Sequence, residues 1–130
     1  MTPSDVAVER LVALSFLVVG LSHLVRPRAW TLWFEHLRAR REAGALDYGM
    51  LSLTLGALVV GFHGTQWTGL AVITTAMGWL QLAKGAVHMC FPAYSLKQME
   101  RVMPADGWKI AAAGGMMIPL AGVILYGSLR

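Results

Sequence analysis

The sequence predicts an all-α fold, a bundle of four transmembrane helices with an interfacial amphipathic helix between the first and second spans. Three observations predict it. Four long apolar segments, at 6–25, 48–62, 67–91 and 108–127, each approach the roughly 20 residues that cross a bilayer. The chain is 56% hydrophobic over 130 residues with a mean hydropathy of +0.56, too apolar for an ordinary soluble domain and too short for a second folding unit. The basic residues also fall on one side. Arg26, Arg28, Arg38, Arg40, Arg41, Lys97, Arg101 and Lys109 lie in or beside the connections 26–47 and 92–107, against Arg10 and Arg130 near the termini. By the positive-inside rule the two long connections are cytoplasmic and both termini non-cytoplasmic, in a bacterial cytoplasmic (inner) membrane. The whole chain, 1–130, is then one polytopic membrane domain. Its formal charge of +4 serves topology and contact with anionic lipid headgroups, and requires no nucleic-acid partner.

Taken in order, the first helix starts with Thr2 as N-cap, Pro3 at the first position and Asp5 three residues on, facing the helix dipole. Asp5 and Glu9 replace the basic region of a signal peptide and no Ala-x-Ala site follows, so this helix is expected to remain attached. In the first connection, Trp30, Trp33, Phe34 and Leu37 share one helical face, with Arg28, Glu35, Arg38 and Arg41 on the other. This pattern predicts an interfacial helix over 28–43, its aromatic stripe among the headgroups and its arginines on lipid phosphate, stopped by Gly44. A short turn over 63–66 joins the second and third spans. In the second connection, Leu96, Met99 and Met103 oppose Lys97, Glu100 and Arg101 between Pro92 and Pro104, which predicts a second surface helix.

Small residues recur every seventh position within the spans: Gly49 and Gly56 in the second, Ala71, Gly78 and Gly85 in the third, Gly115 and Gly122 in the fourth. Lipid gives helices no hydrophobic reason to associate, so such stripes are expected to carry close packing. Pro119, just after Gly114 and Gly115, predicts a kink in the fourth helix.

The third span holds the polar groups deepest in apolar sequence. Met77, Gln81, Lys84 and His88 lie on one helical face. Lys84 is seven residues before Phe91, roughly 10 Å from the span's end at the helical rise, so its stem can lift the ammonium to the headgroups. Pointed inward, it would meet Gln81 or an anionic headgroup. His23, His88 and Cys90, near one membrane face, are weak candidates for a metal, because no histidine pair has i, i+4 spacing and no carboxylate accompanies them. No glycine loop for phosphate, nucleophile elbow, Cys-x-x-Cys or zincin motif is present. Neither catalysis nor a cofactor is expected. Glu9, the one acid that could serve a proton-coupled exporter, lies near the first helix's start beside Arg10.

The segment 63–92, HGTQWTGLAVITTAMGWLQLAKGAVHMCFP, resembles a family of small four-helix bacterial integral membrane proteins without an assigned activity. The residues that carry the resemblance are His63, Trp67, Thr75, Gly78, Trp79, Leu80, Lys84, Gly85, Phe91 and Pro92, joined by Gly20, His23 and Pro27. It implies the four-helix membrane architecture and no catalytic residues.

Two functions are compatible with these patterns. The first is a non-catalytic module, an accessory subunit of a larger membrane complex or a self-associating scaffold, expected from the glycine stripes and therefore a homo-oligomer or a subunit. The second is a carrier or binding protein for a small amphiphile, a lipid or quinone, with Trp79, Gln81, Lys84 and His88 lining a cleft. A cavity on that stripe would favour the second.

Overall fold

The computed structural model describes residues 1–63 and 66–130. Among these residues the chain is all-helical, without strands. Its elements are α1 (Pro3–Val25), α2 (Pro27–Ala39), α3 (Glu42–His63), α4 (Ala71–Cys90), α5 (Pro92–Met99) and, after a 3₁₀ turn at Pro104–Asp106, α6 (Gly107–Leu129). Gly64 and Thr65, in the expected 63–66 turn, lie outside the described residues.

The first helix begins as its sequence dictates. Thr2 Oγ1 accepts from the Asp5 N–H at 3.2 Å while Asp5 Oδ2 accepts from the Thr2 N–H at 2.7 Å, a reciprocal capping box that satisfies free donors of the first turn. Two corners have a common cause. Arg26 and Phe91 each precede a proline, whose ring excludes the α conformation from the residue before it; both adopt extended φ near −130° (−131° and −127°), ending α1 and α4 and starting α2 and α5. The third corner differs from the expectation that Gly44 stops a helix over 28–43. α2 ends at Ala39, and Arg41 makes the turn at φ 56°, in the left-handed region. Gly44 lies inside α3, where its missing side chain lets the backbone pass the Leu37 carbonyl. The second apolar helix therefore begins at Glu42 instead of 48.

The long helices form two antiparallel pairs, α1 with α6 and α3 with α4, and the pairs touch each other less extensively than their members do. Glycines set the closeness. A Cβ on Gly56 would strike the Leu82 backbone and one on Gly85 the Leu53 backbone, while one on Gly49 or Gly78 would first meet the side chain of Met89 or Val59. In the other pair the roles fall to Gly20 and Gly114, which face each other. Gly115 and Gly122, expected to pack, have open space where a side chain would stand. They point away from α1, on the same outer face as exposed Met116 and Tyr126. α6 continues helically through Pro119.

Both termini lie at one end of the molecule beside Gln66, Thr68 and Leu70, while α2 and α5 close the other end. Three segments are long and apolar enough to cross a membrane, Pro3–Val25, Glu42–His63 and Pro104–Leu129, consistent with a multi-pass membrane protein. α4 has comparable length, but Gln81, Lys84 and His88 lower its hydropathy.

Candidate functional site

At the α2/α5 end, a groove of about 470 Å³ opens between α2, α3, α4 and α5. Proline corners at Pro27 and Pro92 turn the two short helices across the ends of the long ones and so build its walls. Lys84 and His88, one turn apart on α4, enter it together with Tyr48 of α3 and Phe34 of α2. The Lys84 ammonium stands 4.7 Å from the Tyr48 ring centroid, a cation–π contact, and the same ring meets the His88 ring edge-on at 5.0 Å. His88 is buried and its Nδ1 lies 2.5 Å from Ser95 Oγ. Among the described residues no carboxylate lies within ion-pair distance of Lys84, and no acid lines the groove. One cation at the head of apolar walls suits an anionic head with an apolar tail.

The sequence-based stripe is thus divided. Lys84 and His88 share the groove; Gln81 does not reach it, and lines a separate crevice of about 120 Å³ in the seam between α1 and the α3–α4 pair. There Gln81 Oε1 and the hydroxyl of fully buried Thr74 have no hydrogen-bond partner, against walls of Val12, Phe16, Leu55 and Val59. Trp79, expected beside Lys84, instead points outward, 44% exposed, on the side of α4 away from both cavities.

The aromatic stripe of α2 packs in part on its neighbouring helices. Trp30 stacks on His23 at 4.2 Å and donates to Ser22 Oγ at 2.9 Å, while Trp33 and Phe34 pack edge-on against Tyr48 at 5.9 and 5.6 Å. The rings therefore cover α1 and α3, with Leu37 buried beneath them. Arg38, assigned to lipid phosphate, donates to the carbonyls of Met99 and Val102 at 2.9 and 2.6 Å, closing the end of α5. Of the three weak metal candidates, His23 Nδ1 bonds the Val19 carbonyl at 2.7 Å, His88 bonds Ser95 and Cys90 is exposed.

A second polar cluster was not among the sequence candidates. At the terminal end of the seam, His63 Nε2 lies 3.2 Å from Glu9 Oε1, and His63 Nδ1 lies 3.0 Å from Thr75 Oγ1. Glu9 is 2% exposed and His63 fully buried. Thr75 Oγ1 lies 2.8 Å from the Gln66 carbonyl oxygen, and Gln66 Nε2 reaches Asp5 Oδ2 at 3.5 Å. A signal for this cluster was present. Asp5, Glu9 and Ala13 form one buried stripe on α1, and the heptad Gly49–Gly56 continues to His63 on α3.

No family model, curated protein or solved structure matches this chain.

Proposed function

We propose that this chain is a four-span membrane protein that binds an anionic amphiphile in the groove at the α2/α5 end, with Lys84 receiving the headgroup. The observation that carries the reading is the lone cation of Lys84, without a carboxylate partner among the described residues, at the head of an apolar groove. Tyr48 holds the ammonium from one side and leaves its other donors for an anion. Leu80, Ala83 and Val87 supply the wall along which an acyl tail would run. In this reading α4 is the fourth span, carried across by its packing on α3 despite its polar stripe. The eight basic residues at the α2/α5 end support a reading in which that end, and the groove, face the cytoplasmic leaflet of a bacterial inner membrane.

A scaffold or accessory-subunit role rests on a single face, the outward Gly115–Gly122 line of α6. Gly49 and Gly56 of α3 and Gly78 and Gly85 of α4 are occupied within the chain, which leaves less small-residue surface for self-association than the sequence suggests.

Thermal unfolding of the detergent-solubilised chain with dodecyl phosphate or dodecyltrimethylammonium tests the proposal. The anionic probe is expected to raise the midpoint saturably, by the equivalent of about 2.7 kcal/mol at a hundredfold excess over Kd, and the cationic one not. An equal response to both, or none, contradicts it.

A further inference from the structure

The cluster in the seam has a hydrogen count that the geometry fixes. Thr75 Oγ1 stands 2.8 Å from the Gln66 carbonyl oxygen and 3.2 Å from that of Ala71. A hydroxyl and a carbonyl oxygen come that close only with a hydrogen between them, and the carbonyl has none, so the hydroxyl donates. With its one hydrogen committed, Thr75 can only accept from His63 Nδ1 at 3.0 Å, and Nδ1 therefore carries a hydrogen. The opposite ring nitrogen, Nε2, faces Glu9 Oε1 at 3.2 Å. A neutral ring protonated on Nδ1 presents a lone pair there, and an ionised carboxylate presents only lone pairs. One more hydrogen closes this contact, held either by a carboxyl that donates to the ring or by an imidazolium that donates to a carboxylate. Both arrangements have zero net charge, the state that suits side chains 2% and 0% exposed.

From this we propose that Glu9 and His63 are a proton-binding site, holding one shared proton between them in the seam where the α1–α6 pair meets the α3–α4 pair. Among the described residues nothing else nearby neutralises Glu9. Among the described residues His63 is the one cationic group within ion-pair distance of it. On α1, Asp5 lies one turn toward the helix start with its carboxylate held by Thr2 and Gln66, and Arg10 is exposed. The connection contributes neutral Gln66 and α4 neutral Thr75. Met1 and Arg130, which follows α6, line a surface pocket together with Gln66. The site is separate from the Lys84 groove, which lies at the other end of α4, and neither depends on the other. It adjoins the crevice of Thr74 and Gln81, which is lined by Thr74 next to Thr75 and, one turn further along α1 and α3, by Val12 and Val59.

The test is nitrogen-15 NMR of the full chain labelled at histidine, in lipid nanodiscs at neutral pH, with infrared detection of carbon-13-labelled glutamate. His63 is assigned by elimination against His23→Gln, His36→Gln and His88→Gln, none of which touches the cluster. The expected result is a protonated Nδ1 together with one further proton, seen either on Nε2 or as a protonated glutamate carboxyl. A ring bearing a single hydrogen beside four ionised glutamates, on whichever nitrogen, overturns the proposal. In Glu9→Gln the amide N–H takes the place of the shared proton, so Nδ1 is expected to stay protonated and Nε2 to become a pure acceptor. An Nε2 that remains protonated in that variant equally contradicts the proposal; should the variant not fold, the wild-type spectrum decides alone.

Discussion

Glu9 of α1 and His63 of α3 meet at 3.2 Å where neither side chain reaches solvent, so one polar contact ties the two helix pairs together near the terminal end. Removing one member leaves the other buried without a partner. His63→Leu is expected to destabilise the chain by about 3–5 kcal/mol in denaturant unfolding from mild detergent. Glu9→Leu with His63→Leu should cost less than the sum of the single changes, because no orphan remains. Additive losses would show that the pair is not energetically coupled.

The glycines divide into two groups with opposite expectations. Gly56→Ala and Gly85→Ala each drive a methyl into backbone of the facing helix, and a loss of about 1–3 kcal/mol in thermal unfolding is expected from each. Gly115→Ala and Gly122→Ala meet open space, and better helix propensity should leave stability unchanged or raised by up to about 1 kcal/mol. Loss of stability together with loss of a dimer in Gly122→Ala would instead locate a self-association surface there.

Thr74 and Gln81 give a third expectation. Each has a buried oxygen without a partner, and Thr74→Val replaces the orphan hydroxyl by a methyl of the same shape. Stability is expected to rise by about 1 kcal/mol, read from the unfolding midpoint. A decrease would mean that the hydroxyl is bonded in the membrane.

Arg41 supplies a fourth. It holds φ 56°, where a side chain crowds its own backbone, and Arg41→Gly is expected to stabilise by about 1 kcal/mol in the same assay. No gain would place the residue's contribution in its side-chain contacts.

Local chemistry was the part of this molecule most legible in the sequence. The capping box of Thr2 and Asp5, the Pro92 boundary of the second short helix and three of the four expected apolar spans depend on near neighbours, and they stand near where composition and spacing put them, with the second span beginning early at Glu42. The direction in which a face points was harder. The stripe Trp30–Trp33–Phe34 has the same periodicity whether it meets lipid or a neighbouring helix, and its contacts with Tyr48 come from the proximity of α3. Gly115 and Gly49 look alike in sequence, yet α6 turns one outward while α4 covers the other. Glu9 and His63 are 54 positions apart, so no local spacing shows their contact. Only the continuation of the two helical stripes, Glu9 with Ala13 and His63 with Gly56, carries a trace of it. The Lys84–His88 pair was visible as one helical face, but Tyr48, Phe34 and Tyr94, which make it a groove, come from three other helices.

The central claim is that Lys84 receives an anionic amphiphile, and native mass spectrometry of the chain released from mild detergent tests it most directly. Wild type is expected to retain a bound anionic lipid. Lys84→Met, with the cation removed and a side chain of similar length left against Tyr48, should remain folded and fly bare; Lys84→Arg should retain the lipid with altered strength, because a planar fork replaces a compact ammonium. A bare wild-type chain, or the same retained mass in wild type and Lys84→Met, would contradict the account.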